Sequence, residues 1–175
     1  MEVLARGDPR AHQTSGHATR AACTVRRQMK APETGIEEAI KQYHAALDQF
    51  AKGNPEAVKA MFSHQEDVTL ANPFGPAVRG WKEVSDALDF ASSRFRDGEV
   101  ADVESFARYL TADLASMFEI ERWNAKVGDR EDVSPFELRV TSTFRLEVDG
   151  WKLVHRHADP ITTPHADGPL RGLSS

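Results

Sequence analysis

The sequence predicts an α+β domain in which helices come first and a long, curved antiparallel sheet follows. Apolar residues recur at helical spacing from Ile36 to Phe95, and four extended runs with two-residue alternation then fill the chain from Glu99 to Asp159. Turn-rich Gly128 to Asp132 and the dipeptide Asp149-Gly150 separate the later runs, as expected of a meander.

Each element has its own justification. Ile36, Ala39, Ile40, Tyr43, Leu47 and Phe50 follow the i, i+3, i+4, i+7 rule of a first amphipathic helix, with Gly53 as its stop. Asn54 offers an N-cap and Pro55 a first helical position for a short second helix that buries Ala57, Val58, Met61 and Phe62 and ends near Ser63. Val68 to Ala71 reads as a short strand, turned by Asn72-Pro73-Phe74-Gly75-Pro76 into a hairpin with Ala77 and Val78. Trp81, Val84, Leu88, Ala91 and Phe95 predict a third helix closed by Gly98. Four strands follow, about Glu99 to Leu110, Asp113 to Lys126, Phe136 to Val148 and Trp151 to Asp159. In the third of these Phe136, Leu138, Val140, Ser142, Phe144, Leu146 and Val148 share the core face, and in the last Trp151, Leu153, His155, His157 and Asp159 share one face opposite Arg156. That row predicts His155 and His157 on a cavity wall and Arg156 on the other side of the sheet.

Composition bounds the function. The chain has 175 residues, 22 Lys and Arg against 27 Asp and Glu, a net charge of −5 and 40% hydrophobic residues, which suits one globular domain and gives no sign of a nucleic-acid partner. No apolar run is long enough to span a bilayer and the charged start does not resemble a signal peptide, so a cytoplasmic protein without a membrane partner is expected. Cys23 is the only cysteine, which excludes an intrachain disulfide and a multi-cysteine zinc site. Residues 1–31 hold six basic residues against Glu2 and Asp8, lack aromatics and show no apolar periodicity, so they read as a disordered basic tail or an over-long start before Met29. Residues 32–162 form the predicted domain and residues 163–175 a loose C-terminal tail.

Several pieces of the domain together resemble a known family. These are Tyr43-His44-Ala45-Ala46-Leu47, Phe62, the stretch Asp67-Val68-Thr69-Leu70-Ala71-Asn72-Pro73-Phe74-Gly75, Arg79-Gly80-Trp81, and Gly150-Trp151-Lys152-Leu153-Val154-His155-Arg156-His157. In order and spacing they resemble the SnoaL-like branch of the nuclear transport factor 2-like (NTF2-like) superfamily over roughly residues 35 to 162. The resemblance implies an NTF2-like cone: three N-terminal helices packed on a curved antiparallel sheet around an internal apolar cavity, commonly dimerising through the sheet. It does not by itself imply one activity, because the superfamily includes ketosteroid isomerases, polyketide cyclases, dehydratases and binding or assembly modules without catalysis.

Where ketosteroid isomerases carry Asp-Pro-Val-Gly, this chain has Asn72-Pro73-Phe74-Gly75, and an amide cannot shuttle a proton. Steroid isomerisation is therefore disfavoured. Of the family's two oxyanion donors, Tyr43 matches the first-helix tyrosine, with Ala46 competing for the alignment, and Ser142 falls where the sheet aspartate would lie.

The residues leave the chemistry open. His155 and His157 could act as general acid and base, with Tyr43 as a further catalytic candidate, or could only hydrogen-bond and order the wall. Glu119 and Glu121 share a strand face and could pair with such a histidine or form an exposed ion-pair ladder. His155, His157, Asp159 and His165 make a poor metal set, so no metal and no cofactor is expected. Asn72, Phe74, Trp81, Phe118, Ser142 and Phe144 are the expected ligand-binding residues. No Gly-rich phosphate loop, nucleophile elbow or Cys-His pair is present. The expected function is a cavity protein that binds a small apolar or aromatic molecule, with or without acid-base isomerase, cyclase or dehydratase chemistry. The alternative is a non-catalytic module, and either way a homodimer is expected.

Overall fold

The computed structural model describes residues 32–163. The expectations for the N-terminal tail with Cys23, and for the C-terminal tail with His165, lie outside the described residues. The chain runs α1 (Pro32–Phe50), α2 (Glu56–Met61), β1 (Thr69–Ala71), β2 (Val78–Arg79), α3 (Trp81–Ser92), β3 (Phe95–Leu110), β4 (Leu114–Val127), β5 (Ser134–Glu147) and β6 (Gly150–Asp159). One curved, open six-stranded sheet has the order β2-β1-β6-β5-β4-β3. All neighbours are antiparallel except β1 and β6, where Leu70 lies beside Arg156. This is the α+β cone that the sequence predicts. Among the described residues no helix is long and apolar enough to cross a membrane.

The helices form for the reasons read from the sequence. On α1 the stripe Ile36, Ala39, Ile40, Tyr43, Leu47 and Phe50 is buried, and Ala46 and Ala51 extend it. Gly53 ends that helix with φ +89° while its N–H donates to the Phe50 carbonyl at 2.9 Å. Asn54 caps α2, its Oδ1 accepting from the Glu56 N–H at 3.1 Å. Helix α3 buries Val84, Leu88 and Ala91 against the sheet.

Two elements differ from expectation. The third helix stops at Ser92, so Phe95 and Gly98 belong to the edge strand β3. Phe95 stands four residues after Ala91, which mimics another helical turn, and Gly98 is needed for a close approach rather than a helix stop. A Cβ there would lie 2.6 Å from the Ala51 carbonyl oxygen and 2.7 Å from the Ala125 Cβ. Gly98→Ala should therefore cost about 1–3 kcal/mol by forced repacking; a urea titration showing a change below about 0.5 kcal/mol, the usual range of a surface substitution, would remove this account.

The second difference is in β6. Thr143 pairs with His155 but Phe144 pairs with Leu153, so Val154 is an extra residue and the strand carries a bulge. A one-residue insertion inverts every later side chain. Trp151 and Leu153 face inward as expected, but beyond the bulge Arg156 and Ala158 face inward, while His155 and His157 turn to the outer face. The expectation that the histidines line the cavity and Arg156 lies outside is thus reversed.

Strand β4 adds a third correction. Ala115, Met117, Glu119, Glu121, Trp123 and Ala125 are the buried alternate residues, so the two glutamates belong to the interior and form no exposed ladder. Strand β5 alternates as read from Phe136 to Phe144, with Leu138, Val140, Ser142 and Phe144 buried, but Leu146 and Val148, expected on the same core face, are exposed, because the strand runs out past the helices there and Val148 already lies in the turn to β6.

Candidate functional site

The inner face of the sheet and the three helices enclose a cavity of about 370 Å³. Its wall is largely apolar and contains one aromatic cluster. Phe95 from β3 stacks on Trp123 of β4 at 5.6 Å and on Phe136 of β5 at 5.9 Å, and meets the edge of Phe74 at 5.3 Å. Leu47 and Phe50 of α1, Val58 of α2 and Leu88 and Ala91 of α3 supply the opposite side. Among the described residues the polar side chains of the lining are Asn72, Arg130, Ser134 and Arg156. All four can donate a hydrogen bond, and none is a base at neutral pH.

Arg156 forms the floor and is the best-connected of the four. It is 7% exposed, and Glu121, which it meets, is 0% exposed. Nη1 and Nη2 each donate to one Glu121 oxygen at 2.8 Å, and Nη1 also donates to the Tyr43 hydroxyl at 2.6 Å. Trp123 Nε1 donates to the same carboxylate at 3.0 Å, so the indole that lines the cavity is fixed by the ion pair behind it. Burial works to lower the Arg156 pKa, but Glu121 and Tyr43 outweigh it and hold the group above the usual arginine range. The Tyr43 phenol is pushed far above its ordinary value by burial, against the pull of the Arg156 charge, and stays neutral. A second buried carboxylate, Glu119, sits 3.2 Å from His44 Nε2 of α1 and not beside a sheet histidine.

The structure gathers only some of the residues singled out from sequence. Asn72 and Phe74 line the cavity. Asn72 Oδ1 accepts from the Phe74 N–H at 2.9 Å, an Asx turn that leaves Nδ2 without a partner among the described residues. Tyr43, Ser142 and Phe144 lie in the core beneath the cavity, where Phe144 meets the Tyr43 ring edge-on at 5.7 Å. Trp81 stacks on His64 at 3.9 Å, away from the cavity. Phe118 faces outward against Phe106, ring centroids 5.5 Å apart, because its parity on β4 is opposite to Trp123. His155 Nδ1 lies 2.8 Å from Thr69 Oγ1, and partial burial, helped by the charge of His157, lowers its pKa below the usual histidine value. His157 is exposed, 3.7 Å from Asp159. Among the described residues no three His, Cys, Asp or Glu side chains gather as a metal site would.

Sequence reasoning missed Arg156, Glu121, Trp123, Phe136 and Arg130 as parts of one site. One signal for Arg156 was present: Val154 and Ala158 are apolar but out of phase with Trp151 and Leu153, and such a phase change within one run marks a bulge.

Known proteins carry the same architecture. The family model described as the SnoaL-like domain matches residues 36–162. Among solved structures, an NTF2-like superfamily protein from Salmonella enterica aligns with TM-score 0.62 at 18% identity, over 81% of this chain and 96% of that one. A ketosteroid isomerase-like protein from Erwinia carotovora atroseptica aligns with TM-score 0.60 at 20% identity, over 74% of this chain and 96% of its own. An NTF2-like protein with a cystatin-like fold from Novosphingobium aromaticivorans aligns with TM-score 0.54 at 16% identity, over 77% and 85%. Among curated proteins no sequence matches the chain. At these identities the structural likeness is one of fold.

Proposed function

The chain belongs to the SnoaL-like domain family, and on that footing we propose that it binds a small, flat apolar or aromatic molecule in the cone cavity, without acid-base catalysis by the side chains that line it. The observation that carries this reading is the composition of the lining: a cavity of about 370 Å³, walled by Phe74, Phe95, Trp123 and Phe136, whose polar side chains are all donors. Small-molecule pockets are usually of this kind, about 300–1,000 Å³, mostly apolar, with a few polar groups that fix orientation. Three of the five N–H groups of Arg156 are engaged by Glu121 and Tyr43, which leaves two for a ligand carbonyl or hydroxyl; Asn72 Nδ2 can add a third donor.

Proton transfer needs a titratable group within hydrogen-bond reach of the substrate. Among the described residues no carboxylate, imidazole, amine, thiol or phenol lines this cavity. Glu121 is held by two guanidinium nitrogens, Tyr43 is sealed beneath Arg156, and both sheet histidines face the other way. The isomerase-like chemistry in the name of the Erwinia protein is therefore not carried over.

A thermal-shift screen of neutral two-ring aromatics such as 1-tetralone and 2-naphthol tests the reading. A ligand at a hundredfold excess over its Kd should stabilise the wild type by about 2.7 kcal/mol. Val127→Trp, which fills the lining from the end of β4, should abolish the shift. If no compound raises the melting temperature, or the plugged variant responds equally, the cavity is not the binding site.

A further inference from the structure

The charge of the cavity lining runs against the charge of the chain. The chain has 27 acidic residues against 22 basic ones, yet among the described residues the lining holds two arginines and no carboxylate. Arg156, at the floor, is neutralised by Glu121. Arg130, on the turn between β4 and β5, is exposed, lines the cavity and makes no ion pair among the described residues. Its backbone is anchored: the Arg96 guanidinium donates to the carbonyls of Gly128 at 2.9 Å and Arg130 at 3.0 Å. The acidic neighbours Asp129, Glu131 and Asp132 are exposed and none lines the cavity, and Glu131 leans toward Arg96 at 3.9 Å.

We propose that the cavity takes an amphipathic anion, a flat apolar or aromatic carboxylate whose ring lies against Phe95, Trp123 and Phe136 and whose carboxylate meets Arg130 at the mouth. The inference rests on the reading of the cavity as a small-molecule site and adds the ligand's charged group. Orientation follows from desolvation. A carboxylate pushed to the floor would lose its water and lie beside the buried Glu121 charge, whereas at the mouth it keeps part of its hydration while a planar guanidinium offers it a bidentate fit. The apolar wall then holds the ring and Arg130 selects the headgroup.

The test is isothermal titration of the full chain at low salt with 2-naphthoate and its neutral isostere 2-naphthamide. Wild type should bind the acid at least about fivefold more tightly than the amide, the scale of a well-placed, partly exposed ion pair. In Arg130→Gln the two should bind within about twofold of each other, and added salt should narrow the wild-type difference because the pair is open to solvent. If the wild type binds both equally, the cavity reading stands and the anion assignment is wrong. If the preference survives Arg130→Gln, it does not come from Arg130 and the proposal fails. If neither compound binds, the cavity reading itself falls and the inference falls with it.

Discussion

Glu121→Leu should destabilise the protein by about 3–5 kcal/mol, a large share of the roughly 5–15 kcal/mol that holds a domain together. Leucine has similar bulk and would fill the space, so the loss is electrostatic. Arg156, now 7% exposed, would stay buried with its principal charge partner gone, the Tyr43 hydroxyl would be its remaining hydrogen-bond acceptor among the described residues, and Trp123 Nε1 would lose the carboxylate it donates to. The Glu119 charge, which also acts on Arg156, would offset part of this, since its own partner His44 sits on α1.

The double variant Glu121→Leu with Arg156→Met separates two accounts. If the cost of the single variant comes from an uncompensated buried charge, removing that charge should restore most of the lost stability, because a buried pair replaced by apolar residues is often neutral or stabilising. Urea titrations give the comparison, with the m-value confirming that the unfolding transition is unchanged. A double variant as unstable as the single one would show that hydrogen-bond geometry, not charge, holds this part of the core. A single variant losing under about 1 kcal/mol would mean that Arg156 reaches water when Glu121 is removed.

The same ion pair shows where sequence reasoning stops. The stripe Ile36, Ala39, Ile40, Tyr43, Leu47 and Phe50, and the alternation from Phe136 to Phe144, were legible because each states a single local period and the whole element obeys it. Asn72 was legible as a cavity residue because Asn72-Pro73-Phe74-Gly75 resembles the Asp-Pro-Val-Gly of ketosteroid isomerases, and Phe74 because a small-molecule wall needs aromatic side chains. Glu121 and Arg156 were not, because they stand 35 residues apart and each reads as a surface residue alone; their burial is acceptable only once the other is in place. The cavity position that alternation gives His157 is reversed by one inserted residue, Val154, whose effect is to change parity without changing composition. Phe95 reads as helical in the sequence because a four-residue spacing continues by coincidence across the turn at Ser93 and Arg94 into β3.

That phenylalanine is the centre of the cavity wall, and Phe95→Ala should cost about 3–5 kcal/mol. Its ring is buried and touches four others, Phe50 at 6.0 Å, Phe74 at 5.3 Å, Trp123 at 5.6 Å and Phe136 at 5.9 Å. The wall cannot close over the gap easily. Gly98, three residues on, is already pressed against Ala51 and Ala125, and Trp123 is tied to Glu121, so both flanks of the vacancy are fixed and the removed volume should persist as extra cavity. Phe90→Ala is the control, since that ring is 55% exposed on α3 and its loss should fall within about 0.5 kcal/mol. Urea titration measures both. The enlarged cavity should also admit a three-ring aromatic such as anthracene-9-methanol that the wild type excludes, read as a thermal shift in the variant alone. A cost below about 1 kcal/mol, or a variant with no gain in ligand size, would show that the wall collapses inward and that the stacked rings do not set the shape of the site.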